Sequence, residues 1–263
     1  MRYKVISSRY KEFILNINSH FKSSKEVLFN KRNIIKIVEF QDKKYVVKSF
    51  KKPHLLNQVV YRFFRDSKAK RSYENTMKLQ ELGVNVPNAI GYIEYNLPCR
   101  LQSSYFVSEF YNYDFEIRDV LNSNDFNDRE HILKEFASFS YDLHQKGVYH
   151  IDYSPGNVLI KKQNSSYEFA IIDVNRMKFI EFDNELRFKN LSRFSTSLED
   201  LELIAYSYAK VANIDKDYAH KTLLKYHNQH QEYLQNKQKL KKLKGKKWKS
   251  HLFGIDIQIS HTQ

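Results

Sequence analysis

Between residues 25 and 50 the chain alternates short apolar runs with polar stretches. Glu26–Phe29, Ile34–Phe40 and Tyr45–Phe50 are rich in Val, Ile, Phe and Tyr, and Asn30-Lys31-Arg32-Asn33 and Gln41-Asp42-Lys43-Lys44 separate them. β-Branched and aromatic residues suit a pleated, half-buried surface, and Asn and Asp favour tight turns, so the pattern predicts three strands joined as hairpins. The period then changes. Leu55, Leu56, Val59, Val60, Phe63 and Phe64 recur at helical intervals, and Ala69, Tyr73, Met77 and Gln80 mark a second helical face. Gly83 is placed to stop that helix, and Val86-Pro87 opens an extended segment. Strands are expected again at Ala89–Glu94 and Ser104–Phe110. Three strands, helix, two strands make a small α+β unit.

The second half is patterned mainly for helix. Ile132, Leu133, Phe136, Phe139 and Leu143 share one face behind a cap at Asn127 or Asp128, and Gly147 ends the run. Two short strands, Val158–Lys161 and Tyr167–Asp173, form a hairpin beyond it. Ser197-x-x-Asp200 reads as a capping box for a helix carrying Leu198, Leu201, Ile204, Tyr208 and Val211, and further helix is expected between about residues 215 and 243. The expected organisation is a first lobe over residues 1–110, a second over 111–235 and a basic tail over 236–263.

Composition narrows the class. The chain has 263 residues, 41% of them hydrophobic and 15% aromatic, enough for a globular core and against wholesale disorder. Cys99 is the single cysteine and cannot form an internal disulfide, which suits a reducing compartment. Met1–Leu15 carries Arg2, Lys4, Arg9, Lys11 and Glu12 instead of a secretory apolar core, and no window approaches the roughly 20 apolar residues of a membrane span. These features predict a cytoplasmic protein. The net charge of +14 attracts nucleic acid, anionic membrane or phosphorylated substrates and does not choose among them. It also fits a plain lysine-rich bias, since Lys and Asn are abundant throughout.

The candidate chemistry sits at Tyr149-His150-Ile151-Asp152-Tyr153-Ser154-Pro155-Gly156-Asn157, followed by the strand Phe169–Ile172 that ends in Asp173. Phosphoryl transfer needs a carboxylate for the acceptor hydroxyl, oxygen ligands for a metal, a cation on the phosphates and a place for adenine. Asp152 could accept the hydroxyl proton. Asn157 and Asp173 offer the neutral and charged oxygens that a hard ion such as Mg²⁺ prefers. Lys48, late in the third strand, could bridge phosphates as a point charge. His150 fits a packing and hydrogen-bonding role in the loop better than acid–base work. Singly, each residue has an ordinary structural explanation: Lys48 as a solvated strand lysine, Asp173 as a strand-end turn residue, Asp152 and Asn157 as turn formers. It is their conjunction, at these offsets and between these elements, that points to phosphoryl transfer.

On these residues the chain resembles the lipopolysaccharide kinase family, which includes the kinases of the Kdo and heptose sugars of the lipopolysaccharide core. The likeness covers most of residues 25–210: Val46-Val47-Lys48, Ser67-Lys68-Ala69 through Gly83-Val84-Asn85-Val86-Pro87, the polar loop, and Asp173-Val174-Asn175-Arg176. The Pro155-Gly156-Asn157 run is also similar to kinases of small molecules. The resemblance implies a protein-kinase-like two-lobed α+β fold with a small, mainly β N-terminal lobe and a larger, mainly α C-terminal lobe. It implies ATP and Mg²⁺ as cofactors and a lipopolysaccharide core sugar as acceptor. Asp152 would be the catalytic base, Asn157 and Asp173 the metal ligands and Lys48 the phosphate contact. Glu109 and Phe110 would form the adenine hinge, and Glu74 is the nearest acidic candidate for the helix partner of Lys48.

The chain also departs from kinase patterns. No Gly-rich turn joins the first two strands, and no glycine precedes Gly83. Asp173-Val174-Asn175 stands where protein kinases have Asp-Phe-Gly. Ile151 replaces the arginine that reads a phosphorylated activation loop, and Ser154 replaces the lysine that protein serine/threonine kinases place two residues after the catalytic Asp. The last two favour a sugar or other small acceptor over a protein. The helix glutamate of similar kinases would fall on Ser72, and Glu74 lies two positions round from it, on the wrong face. An atypical protein serine/threonine kinase and a catalytically weak pseudokinase acting as a scaffold are the alternatives.

Lys237, Lys239, Lys241, Lys242, Lys244, Lys246, Lys247 and Lys249 crowd the tail around Leu240, Leu243 and Trp248. Near an anionic leaflet each lysine could contribute about 1 kcal/mol, and Trp248 could sit at headgroup level. That suits peripheral docking at the cytoplasmic face of the inner membrane, where a glycolipid acceptor is made. A solvated charge run is the plain alternative. Nucleic acid is not an expected partner, because no stacking aromatics are interleaved with the lysines.

Overall fold

A six-stranded antiparallel sheet forms the first half of the molecule in the computed structural model, which describes residues 1–30, 33–50, 66–98, 100–194 and 196–255, with side chains to Leu240 except Arg100. The predicted face from Leu55 to Phe64, the turn residues Lys31 and Arg32, Cys99, and the tail side chains from Lys241 through Trp248 lie outside the described residues. The strands are β1 (Arg2–Val5), β2 (Val27–Asn30), β3 (Ile34–Phe40), β4 (Lys43–Phe50), β5 (Ala89–Leu97) and β6 (Arg100–Glu109), in spatial order β1-β5-β6-β4-β3-β2. The last five lie where the hydrophobic pattern put strands, with ends shifted by a few residues.

The segment before residue 25, for which the pattern gave neither strand nor helix, is folded onto this sheet. β1 pairs with β5 and adds an edge, and helices α1 (Lys11–Leu15) and α2 (Ile17–Ser23) cover one face. Phe13, Ile14 and Ile17 are fully buried there with Tyr10 and Phe21, against Val38, Tyr45, Val47, Ile93 and Val107. Phe13 stacks on Phe40 with centroids 4.3 Å apart. Each such side chain contributes about 1.5–3 kcal/mol of burial. The β1–β5 pairing has a local requirement: a Cβ on Gly91 would lie 2.5 Å from the Lys4 carbonyl oxygen, so only glycine admits β1 this closely.

Helix α3 (Lys68–Glu81) packs elsewhere on the sheet. Ser67 caps it by accepting the Lys70 N–H at 3.1 Å, and Gly83 follows its end at φ +65°. Ala69 and Tyr73 meet Phe50, Ala89 and Tyr92. Ser72, Thr76 and Leu79 continue the buried stripe at helical spacing.

The second half is mainly helical. In order come β7 (Phe115–Glu116), α4 (Ile117–Asn122), α5 (Arg129–Gln145), β8 (Val148–His150), β9 (Val158–Gln163), β10 (Ser166–Ile171), β11 (Met177–Phe179), α6 (Asn184–Leu191), α7 (Leu198–Ala212) and α8 (Lys216–Ile255). Ile132, Leu133, Phe136 and Ala137 of α5 share a core with Leu201, Ile204, Ala205 and Tyr208 of α7 and with Ala219 and Leu223 of α8. Ser197 caps α7 by accepting the Asp200 N–H at 3.1 Å, but the predicted capping box is not closed, because the Asp200 carboxylate bonds elsewhere. Asp128 precedes α5 but makes no capping bond: it sits at φ +60° and its carboxylate accepts the Tyr167 hydroxyl at 2.9 Å. Asp200 instead ties the bundle. Both terminal nitrogens of Arg129 donate to its carboxylate, and Thr196 adds a further bond. Burial would raise the Asp200 carboxyl, but these donors outweigh it and hold the group below the usual carboxylate range.

α8 runs on past residue 243, where sequence reading ended the helix, to Ile255. Tyr233, Lys237, Lys239 and Leu240 are exposed, so its distal part stands clear of the core. Among the described residues no helix is long and apolar enough to cross a membrane.

Candidate active site

The site lies where the sheet meets the helical half, and three backbone segments build it: β4, the segment after β10 and the loop between β8 and β9. β4 is an interior strand, with Lys48 opposite Ile35 of β3 and Phe106 of β6. That pairing fixes the Lys48 backbone, and the side chain is only 11% exposed. Its ammonium group forms an ion pair with Asp173 from the other half of the molecule. Asp173 follows β10 at φ +57°, a conformation Asp tolerates better than most residues. Asn175 also donates to Asp173 Oδ1 at 2.6 Å. Burial would raise the Asp173 carboxyl. The Lys48 charge, with the bonds from Lys48 and Asn175, wins and holds it below the ordinary range.

The loop between β8 and β9 carries Asp152 and Asn157. Buried His150 holds it together. Its Nδ1 accepts the Asp152 N–H at 3.1 Å, so the ring proton is on Nε2, which donates to the Ile172 carbonyl at 3.0 Å. Burial pushes the imidazole pKa down and keeps it neutral, a packing and hydrogen-bonding role rather than an acid–base one. Asn157 Nδ2 donates to the Asp152 carbonyl at 2.8 Å, and the Asn157 carbonyl accepts the Ile172 N–H at 3.0 Å. With its nitrogen committed inward, the Asn157 amide has its oxygen left for a ligand. The Asp152 carboxylate is open to solvent, with a side chain 39% exposed.

Three features of the loop were not legible in the sequence. Arg176 Nη2 donates to Asp152 Oδ2, while the Arg176 carbonyl accepts the Ile151 N–H at 3.0 Å. Arg118 of α4 rests on the loop, since a Cβ on Gly156 would lie 1.7 Å from its Nη2. Buried Asn190 of α6 donates to the His150 carbonyl at 2.9 Å and accepts from His144 Nε2 at 3.2 Å. His144 Nδ1 in turn takes the Tyr208 hydroxyl at 2.8 Å. Burial lowers the His144 pKa to about 3. Arg176 lay inside the motif that carried the resemblance, but nothing in the motif pointed its side chain at Asp152. Asn190 and His144 gave no signal beyond polar residues on apolar helix faces.

Residues 24–219 match the lipopolysaccharide kinase (Kdo/WaaP) family, three quarters of the chain. The chain belongs to this family. It is accordingly a kinase, a phosphotransferase with an alcohol group as acceptor. Among solved structures it is similar to one described as WaaP in complex with acyl carrier protein, at 17% identity and a TM-score of 0.60, covering 89% of this chain and 99% of that one. That likeness places the mixed α+β architecture, a sheet-rich N-terminal region on a helical C-terminal region, among kinase-like folds. No curated protein matches the chain. The family match begins at residue 24, so β1, α1 and most of α2 precede the matched segment.

Within this lipopolysaccharide kinase the structure corrects one expectation. Glu74 does not approach Lys48. It lies two positions round α3 from buried Ser72, about 200° apart, and pairs instead with Lys70 at 3.5 Å. The α3 side chain that does reach the Asp173 segment is Asn75, whose Nδ2 donates to the Val174 carbonyl at 2.6 Å. Glu109 and Phe110 close β6 and, with Lys43, Lys44 and Tyr45, line an open concavity. Their N–H groups are taken by the Asn88 and Lys44 carbonyls, so what these two residues can offer a base is a carbonyl.

Proposed function

We propose that this chain transfers the γ-phosphoryl group of ATP, with Mg²⁺, to a hydroxyl of Kdo or heptose in the lipopolysaccharide core. The observation that carries the reading is the convergence of Lys48 and Asp173 from opposite halves beside a loop that presents Asp152 and Asn157. The oxygen set suits a nucleotide-borne Mg²⁺. Among the described residues no cluster of three or more His, Cys, Asp or Glu could hold a metal alone. One carboxylate and one amide oxygen, completed by substrate phosphates and water, is a usual Mg²⁺ arrangement. Asp173 and Asn157 would hold the ion, which when bound neutralises charge on the phosphate oxygens.

This chain's own residues supply the rest. Lys48 meets phosphate oxygens as a point charge once a nucleotide competes for it with Asp173. Asp152 orients the acceptor hydroxyl and takes its proton. A glycolipid acceptor on an anionic surface suits the lysine-bearing distal part of α8, where Lys237 and Lys239 are exposed. The acyl carrier protein of the WaaP complex makes such a carrier a second candidate partner.

The test is transfer of radiolabelled γ-phosphate from Mg-ATP to core glycolipid held in anionic vesicles. Transfer should fall as salt screens the basic helix, and Asp152→Ala should lower it by at least about 10²–10⁴-fold. Normal transfer by Asp152→Ala would sink the mechanism. Ser72 in place of a helix carboxylate and the missing Gly-rich turn favour the pseudokinase alternative. Absence of a Mg-ATP-dependent thermal shift, which at 100 Kd should be worth about 2.7 kcal/mol, would support that alternative.

A further inference from the structure

The catalytic loop carries no cation of its own between Asp152 and Asn157, since Ser154 stands where a lysine could have been. Lys48 lies across the cleft on Asp173. Among the described residues the cation that pairs with the base comes from the connection between β10 and β11. Arg176 is fixed to the loop by its backbone, through the Ile151 N–H, and by its side chain, through Nη2 on Asp152 Oδ2. A guanidinium has five donors in a planar fork, and among the described residues its other N–H groups have no protein partner. The Arg176 side chain is 49% exposed and that of Asp152 39%. An ion pair so open to solvent adds little to stability. Its placement therefore calls for another explanation than holding the fold.

Building on the phosphotransfer reading above, we propose that Arg176 is a catalytic residue, spanning the Asp152 carboxylate and the equatorial oxygens of the transferring phosphoryl group. The acceptor hydroxyl oxygen bonds to the γ-phosphorus, and its proton passes to Asp152. The bond from the γ-phosphorus to the β,γ-bridging oxygen breaks, and its electron pair leaves with ADP. Charge redistributes over the phosphoryl oxygens during this exchange, and a preorganised guanidinium beside them stabilises it. The same fork keeps the Asp152 carboxylate turned toward the hydroxyl. Arg176 thus supplies from a separate segment the charge that Ser154 does not.

The experiment uses the full chain and the variants Arg176→Ala and Arg176→Lys, with thermal melting to confirm that each is folded. Two quantities are read: kcat for transfer, and the affinity for Mg-ADP with aluminium fluoride relative to Mg-ADP alone, since that complex mimics the flat, charged phosphoryl group. Arg176→Ala should lose about 10²-fold or more in kcat and most of its preference for the fluoride complex, while its affinity for Mg-ADP stays near wild type. Arg176→Lys should recover part of both. Wild-type kcat in Arg176→Ala overturns the proposal. So does a fall in kcat with the fluoride preference intact, which would mean that Arg176 only shapes the loop. A wild-type chain that neither transfers phosphate nor binds Mg-ADP overturns the phosphotransfer reading and this inference together, whereas an active wild type with an indifferent Arg176→Ala removes this inference alone.

Discussion

The two halves of the molecule hold their functional residues in different ways. In the helical half, Asp152 and Asn157 belong to a loop fixed from within: His150 bonds to Asp152 and Ile172, Asn157 bonds back to the Asp152 carbonyl, and Asn190 bonds to the His150 carbonyl. In the sheet half, Lys48 has a backbone fixed by its neighbours in the sheet, but its charge partner is Asp173, which the helical half supplies. Ser72, onto which the resemblance would put a helix carboxylate, is buried on α3 and brings no charge of its own. The geometry of the Asp152 loop is therefore self-contained, whereas Lys48 is oriented by a partner from the other half. The sheet, for its part, is stiffened by chain that precedes the family segment, through Phe13, Ile14 and Ile17.

That contrast can be broken first on the sheet side. Phe13 is fully buried and stacked on Phe40, so Phe13→Ala should cost about 3–5 kcal/mol in chemical denaturation. A loss below about 1 kcal/mol would show that α1 and α2 are a dispensable cover rather than part of the sheet's core.

The helical half can be probed by pH. His144 has a folded pKa of about 3, against an ordinary value near 6.5 when unfolded. The unfolded chain therefore binds a proton that the folded chain refuses. The stability from neutral His144 is complete above about pH 6.5 and is lost as pH falls toward 3, by up to about 1.4 kcal/mol per pH unit. Buried His150, also shifted down, adds a loss of the same sign. Thermal melts between pH 7 and pH 4.5 should show this slope, and His144→Gln should flatten it. Equal slopes in the two proteins would remove His144 from the account.

The smallest effect sharpens the comparison. Glu74 is partly exposed and paired with Lys70, so Glu74→Ala should change stability by less than about 0.5 kcal/mol and leave Mg-ATP affinity unchanged. A marked loss of affinity would mean that α3 turns to bring Glu74 to Lys48 when nucleotide binds, and the sheet half would then carry its own partner after all.

Much of the architecture could be read from hydrophobic period. Five of the six strands of the large sheet, α3, α5 and α7 stand where alternation and helical spacing put them, because those elements each bury one regular face. The N-terminal segment escaped because α1 and α2 are only five and seven residues long, too short for a periodic signal, and β1 is largely exposed. The Asp128 cap failed for a different reason: Tyr167, distant in sequence, takes its carboxylate.

By itself the sequence marked the candidate residues: His150, Asp152, Asn157 and Asp173 come in an order and spacing that short-range geometry can interpret. The partnerships were decided only by the tertiary structure. Lys48 with Asp173, Arg176 with Asp152 and Asn190 with His150 join residues separated by 125, 24 and 40 positions. No local period encodes such pairs. They arise when elements packed for their own apolar reasons, across the two halves for Lys48 and within the helical half for the other two pairs, bring polar side chains together, where each charge or amide must find a partner or remain costly to desolvate.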